Sequence, residues 1–404
     1  MAPVPPTSAP AAAATGPAPA TGPRLGLVLP GGGARAAYQV GVLKAVARLL
    51  PRDAPLPFRV ISGTSAGAII SALVASHADR FRPGVCRIER FWRNFRIDEV
   101  FRADSASMLR AGLHWLMALV SAGHVRPPRS VFDNSPLREL LERHVNFARV
   151  RQHLEHGRLD ALAVNASDYR TALSVSFYAC ADPSGRRLQH WREGAATELG
   201  LDHLMASTAV PFLFPPVCMD GEFYGDGAMR QLAPLSPAIH LGAERLLVIG
   251  VRPVSAPLGV APAPADVIPR RHLAPGPGPT FGQIFGFMLD TLFMDGVQAD
   301  IERVDRDNQL VAAAGPAATG LHKVEVVSIT PRVDFGPIAE RHADDVPSAL
   351  RTLLRVMGAA NPGGRTLLSY LLFQGSYARE LIAHGYADGM ARREEIQALL
   401  RSTP

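Results

Sequence analysis

Phe58-Arg59-Val60-Ile61-Ser62-Gly63-Thr64-Ser65-Ala66-Gly67 is the stretch on which the fold turns. An apolar run at 58–62 reads as a strand. It ends in Gly63-Thr64-Ser65-Ala66-Gly67, and Ala66–His77 follows as a nearly all-apolar helix that should be buried against a sheet. Gly-x-Ser-x-Gly between a strand and a helix is the sharp elbow that presents a serine hydroxyl. Gly63 and Gly67 lack a Cβ, which leaves room for the turn and for close helix packing. The following helix points its positive end at Ser65 and favours negative charge developing there. Ser65 is therefore a candidate nucleophile, and it needs a base from elsewhere in the chain. Small residues often cluster at turns, so the motif alone is a modest signal.

Upstream lies a second unit of the same kind. Leu25-Gly26-Leu27-Val28-Leu29 is an apolar strand, and it closes in Gly31-Gly32-Gly33-Ala34-Arg35. Successive glycine N–H groups form a nest able to hold an anion. Tyr38, Val42, Ala45, Val46 and Leu49 then fall at helical spacing, and Pro51 ends that helix. An acyl-transfer oxyanion must be met by fixed donors, and an anion-holding nest is a device of that kind. Both turns occur within the first βαβ unit.

The base is sought downstream. Val217-Cys218-Met219 and Glu222-Phe223-Tyr224 flank Asp220-Gly221, a strong two-residue hairpin signal. Asp226 follows the second hairpin strand between Gly225 and Gly227, and strand ends are where α/β sheets build their sites. Asp220 is assigned to the turn, where Asp-Gly is structurally demanded. Without Ser65, a turn carboxylate would be the preferred reading of Asp226 as well. Leu159–Val164 and Thr171–Cys180 read as strands, Arg245–Val251 as a short β-like run, and Asn134 or Ser135 before Pro136 as a helix start.

At 404 residues with 47% hydrophobic content, the chain can bury one large α/β core with additions or two domains. The net charge of +6 comes mostly from dispersed arginines, with no basic block or aromatic interleaving of a nucleic-acid groove. A solvated basic surface is the preferred reading, ahead of attraction to anionic lipid. Three separated cysteines, Cys86, Cys180 and Cys218, imply neither a disulfide framework nor a zinc site, and point weakly to a reducing, cytoplasmic setting. No histidine or carboxylate cluster has metal spacing, and no segment has the apolar length of a membrane span. Residues 1–23, rich in Ala and Pro, read as a disordered tail without the features of a secretory signal. The divisions expected are a core at 24–251 with a helical insertion at about 84–130, a Pro/Gly-rich linker at 252–280, and a mainly helical part at 281–404 packing on the core. In that last part, Lys323–Thr330 reads as a strand that would complete the main sheet. Met108–Val120 fits either a lid or membrane-touching helix or a core helix of the insertion. Phe281, Phe285, Phe287, Met288, Leu292 and Phe293 form an apolar patch that would cover the core, join two copies in a homodimer or touch lipid.

Four blocks in order now make the pattern specific: Gly31–Arg35, Gly63–Gly67, Ala206-Ser207-Thr208-Ala209-Val210-Pro211-Phe212-Leu213-Phe214-Pro215-Pro216, and Gly225-Asp226-Gly227-Ala228. From Leu25 to Val251 the chain resembles the patatin-like phospholipase family, and its C-terminal third has the look of bacterial members. The resemblance implies a three-layer α/β/α sandwich with a mostly parallel central sheet. It implies a Ser65–Asp226 dyad in place of a triad, an oxyanion hole at Gly31–Gly33, Arg35 near the entrance, and acyl lipid or phospholipid substrates. It implies no metal or cofactor. Ala36 and Ala228 stand where the family often has glycine, and both are small enough to keep the geometry. Burial beside an apolar channel would have to raise the aspartate from its reference value of ~3.9 for it to serve as a base. Tyr38, Phe212, Phe214 and Trp115 are candidates for an acyl pocket, with ordinary core as the preferred reading.

Three rival readings of these residues exist. Gly31-x-Gly33-x-x-Ala36 nearly fits a dinucleotide fingerprint, but its acidic partner should end the second strand, and Asp53 falls in a loop before that strand. A Ser–Asp–His triad has His240, His272, His322, His342 and His384 available in chain order, none in a recognisable setting. A catalytically silent lipid-binding or scaffold protein is disfavoured by the intact Ser65 and Asp226.

Overall fold

The computed structural model describes residues 23–102, 129–182, 191, 193–253, 296–348, 350–352 and 365–401, with isolated positions at 114, 117, 120, 284, 287, 288 and 291. Its strands are β1 Leu25–Leu29, β2 Val60–Thr64, β3 Ala161–Asp168, β4 Ser174–Cys180, β5 Gly194–Ala196, β6 Val217–Met219, β7 Glu222–Asp226, β8 Arg245–Ile249 and β9 Glu325–Ile329. They make one sheet in the order β5-β4-β3-β2-β1-β8-β9, with the β6–β7 hairpin attached through β7 to β3. Pairing is parallel from β3 through β2, β1 and β8 to β9, and between β4 and β5. It is antiparallel at β3–β4, β3–β7 and β6–β7.

The central strands read as unbroken apolar runs because both of their faces are covered. Leu25, Leu27, Leu29, Ile61, Leu162, Leu247 and Ile249 belong to one core. Helices α1 (Ala37–Leu49) and α2 (Ala66–Ala75) pack there, with the later helix Gly375–Ala391. The alternate residues Val28, Val60, Ala161, Ala163, Leu246 and Val248 join a second core with Leu235, Ala238, Val297 and Val304. Three of these lie in the helices Ser236–His240 (Ala238) and Gly296–Ala314 (Val297 and Val304). Helices therefore cover both faces of a mostly parallel sheet, which makes three layers.

Local signals translate closely into elements. Asp220 and Gly221 both have positive φ, 51° and 84°, as a two-residue hairpin turn matching the strand twist requires. Strand β2 runs two residues beyond the expected Ile61-Ser62 end. Gly63 pairs with Leu29 and Thr64 with Asn165, and this ladder on both sides keeps the glycine extended up to Ser65. Strand β9 joins β8 at the sheet edge, so residues after the Pro/Gly-rich stretch add to the same sheet. The stretch Met108–Val120 and the apolar patch at 281–293 lie mostly outside the described residues. Of the positions that are described, Met117, Val120, Phe287 and Met288 are exposed. Among the described residues no helix is long and apolar enough to cross a membrane.

The helix Gly375–Ala391 is tied to α1 by a buried polar contact. The Tyr38 hydroxyl donates to Asp388 Oδ2 at 3.0 Å, and Arg332 Nε donates to Asp388 Oδ1 at 2.7 Å. Burial, reinforced by the carboxylate, drives the Tyr38 phenol far above its ordinary range. Asp388→Ala should lower the unfolding free energy by about 1–3 kcal/mol, because it strands a buried hydroxyl. Tyr38→Phe should cost less, and the double variant less than the sum. Urea titrations of the four proteins read this directly, and strict additivity would contradict the coupling.

Candidate active site

The meeting of residues 65 and 226 follows from strand register. Strand β3 has β4 along one edge from Ala161 to Ser167. Its other edge is shared by two strands laid end to end. Strand β2 takes Ala161 to Asn165, ending at the Thr64–Asn165 pair. Strand β7 takes Ala166 to Asp168 in the opposite direction, and Asp226 pairs with Ala166. Ser65, one residue past Thr64, therefore arrives at the position along β3 that Asp226 occupies. The backbone N–H of Asp226 is fixed by Ala209 C=O at 2.9 Å, and its C=O accepts from Ser167 Oγ at 2.8 Å.

The elbow is held under strain. Ser65 has φ 54° and ψ −128°, a conformation rarely adopted by a residue with a side chain and costing roughly 1–3 kcal/mol. Its N–H donates to Ser207 Oγ at 2.8 Å, and Ser207 Oγ donates to Asn165 C=O at 2.6 Å. Asn165 Nδ2 reaches Ser62 Oγ, Gly63 C=O and Thr64 Oγ1 at 3.0–3.2 Å, and Ser176 Oγ donates to Asn165 Oδ1 at 2.7 Å. These buried bonds over-determine the turn. Gly67 is required by close approach, since a Cβ there would stand 2.1 Å from Leu29 C=O. Helix α2 can then start directly behind Ser65.

Ser65 Oγ donates to Asp226 Oδ2 at 2.6 Å. Both residues are nearly sealed, at 3% and 2% exposure. Ala228 N–H donates to Asp226 Oδ1 at 2.9 Å. Burial pushes the Asp226 carboxyl up to about 7, against the downward pull of the bonds it accepts from Ser65 and Ala228. That value suits a base working near neutrality. Among the described residues no histidine contacts Ser65 or Asp226. His240 stacks on Trp191, His342 binds Glu380, and His272 lies outside the described residues.

The glycine nest sits at the end of β1, where Gln39 Nε2 donates to Pro30 C=O and Ile249 C=O. Among the described residues, no acceptor takes the N–H groups of Gly31, Gly32 and Gly33. Gly33 has φ 53°, and a Cβ on it would lie 2.4 Å from Tyr370 C=O. Arg35, expected near the entrance, is instead buried. Its Nε donates to Ser369 Oγ at 2.9 Å, one Nη donates to Tyr370 Oη at 3.1 Å, and the guanidinium lies 3.9 Å from the Tyr370 ring centre. Asp53, the acid that a dinucleotide reading needs at the end of β2, is exposed on the preceding turn.

Gly33 and Ser65 line a cavity of about 40 Å³ with Ala66, Ile69, Trp92, Phe95, Leu213, Phe214, Tyr370 and Phe373 among its walls. Its lining is almost wholly apolar. Of the proposed pocket aromatics, Phe214 lines it. Tyr38 is core, Phe212 is 62% exposed, and Trp115 lies outside the described residues. The sequence does not single out Asn165 or the Tyr370 segment, and it offers Ser207 only as part of the 206–216 block, without a role. A buried asparagine inside the apolar run Ala161–Ala166 was the available signal for the first. Among the described residues no group of three or more metal-ligating side chains occurs.

Comparison with known proteins adds to this geometry. Lysophospholipase NTE1 of Chaetomium globosum is 44% identical over 91 residues, 21% of this chain and 6% of that protein. Lysophospholipase NTE1 of Coccidioides immitis is 28% identical over 235 residues, 57% of this chain and 12% of that protein. Both relatives are fungal and lend no support to the bacterial likeness read in the C-terminal third, and the match spans only a small part of either. The crystal structure of VipD from Legionella pneumophila aligns with a TM-score of 0.36 at 12% identity, covering 94% of this chain and 67% of that one, a likeness too weak to carry a structural argument. Residues 27–239, more than half of the chain, match the sequence model of the patatin-like phospholipases, and the chain belongs to that family.

Proposed function

We propose that the chain hydrolyses acyl ester bonds of lipids through Ser65 and Asp226. The observation that carries this reading is the 2.6 Å bond from Ser65 Oγ to Asp226 Oδ2 beside an apolar cavity. In this scheme Ser65 Oγ attacks the ester carbonyl as its proton passes to Asp226. The tetrahedral oxyanion is met by N–H groups of Gly31, Gly32 and Gly33 and by the positive end of α2. Collapse expels the alcohol, which takes the proton from Asp226 and leaves an acyl-serine. Water, deprotonated by Asp226, then releases the fatty acid and restores the hydroxyl. An oxyanion donor contributes about 10²–10³-fold and a placed base about 10²–10⁴-fold, so nest and aspartate are of comparable weight.

Lysophospholipids and phospholipids are the substrate class we favour, from the names of the relatives and the apolar lining. The reaction then takes place at a lipid surface. The exposed side chains of Phe287 and Met288 support peripheral contact there.

Ser65→Ala and Asp226→Ala should each lower kcat/KM for p-nitrophenyl esters by about 10³-fold or more. Circular dichroism should stay that of the parent. A folded Ser65→Ala protein with full turnover would remove the mechanism. The base must be ionised to accept a proton, so kcat/KM should rise with pH through about 7 and level above it. A flat profile between pH 5 and 8 would contradict this role.

The same raised carboxyl costs stability once ionised. The folded state retains a proton that the unfolded chain releases at about 4, so its stability falls as pH rises from about 4 to about 7. Asp226→Asn should gain on the parent across that window in thermal melts, and then hold a constant advantage. An advantage that shrinks as pH rises would reverse the sign.

A further inference from the structure

The segment Ser369–Phe373 lies well beyond the family-matched residues 27–239, yet it walls the cavity at Ser65. Tyr370, Leu371 and Phe373 line that cavity with Trp92, Phe95, Leu213 and Phe214. The segment is anchored firmly. Arg35 grips Ser369 and Tyr370 by two hydrogen bonds and by its position over the Tyr370 ring. The Tyr377 hydroxyl donates to Ser369 C=O at 3.3 Å, and Tyr370 C=O rests against Gly33. After the helix Arg365–Leu371 the chain turns sharply, with Phe373 N–H bonded to Leu371 C=O and Gln374 N–H to Leu372 C=O, both at 2.9 Å. This turn sets the half-buried Phe373 ring against Phe95 at 5.7 Å and 67°. Phe95 in turn packs on Phe91 and Trp92 at 5.0 and 5.1 Å.

The cavity, about 40 Å³, has room for a few waters between its walls as they stand, so an acyl chain reaching Ser65 must run against them. We infer that Leu371 and Phe373 form a fixed end wall that sets acyl-chain length, an assignment that rests on the acyl-hydrolase reading above. A wall pinned to the nest through Arg35 resists displacement, and close-packed walls accept extra methylenes poorly. Truncating it opens length, and enlarging it removes length.

The test compares kcat/KM for p-nitrophenyl octanoate with that for the acetate in the full chain. Leu371→Ala and Phe373→Ala should each raise the octanoate-to-acetate ratio about 10-fold or more, and Leu371→Trp should lower it by a similar factor. Labelling of Ser65 by a small fluorophosphonate verifies that each variant is folded at its site. A ratio that stays within about two-fold of the parent in all three labelled variants overturns the wall. If the parent hydrolyses no ester, the acyl-hydrolase reading falls, and calorimetric binding of butyrate, octanoate and palmitate judges the wall alone. A shift towards longer acids in Leu371→Ala then upholds it, and an unchanged order refutes it.

Discussion

One contact organises this molecule: the bond from the Ser65 hydroxyl to the Asp226 carboxylate at 2.6 Å. The two residues are 161 positions apart, and no local propensity brings them together. The sheet does so by sharing one edge of β3 between two strands of opposite direction. Where β2 stops, β7 begins, and the elbow of the first meets the last residue of the second. Breaking either pairing would separate the two side chains, so the integrity of β3 is a condition for the proposed chemistry.

Around that contact, polarity is concentrated in a few buried side chains. Asn165 and Ser207 bind backbone groups of β2, β3 and the elbow, holding Ser65 in a left-handed conformation that it would not choose. Asp226 is denied water, which raises its basicity, and is steadied by the Ala228 N–H. The strain at Ser65 and the desolvation of Asp226 are both costs to the fold. They are tolerated because two apolar cores, one on each face of the sheet, carry its stability. Membership of the patatin-like phospholipase family fits a site of this economy, with one serine and one carboxylate.

What was legible in the sequence were features whose cause is local. The Gly63–Gly67 elbow, the Asp220-Gly221 turn and the apolar runs of β1 and β8 each follow from sterics or periodicity within a few residues. Ser65 and Asp226 could be named because each sits at such a local signal. The partition of β3 between β2 and β7 was not legible, since antiparallel pairing across distant segments leaves no mark in either segment alone. Arg35 illustrates the same limit. The family resemblance puts Arg35 near the entrance, and only the arrival of Ser369 and Tyr370, more than 300 positions later, buries it. The cavity wall made by Tyr370 and Phe373 was hidden for the same reason, because nothing local distinguishes those side chains from other core residues.

Peptide mapping after reaction with a short-chain fluorophosphonate tests the central contact most directly. The account predicts one adduct, on Ser65, and no adduct over the same period in Asp226→Asn. An adduct on a different residue with Ser65 unmodified, or labelling of Asp226→Asn as fast as the parent, would contradict it.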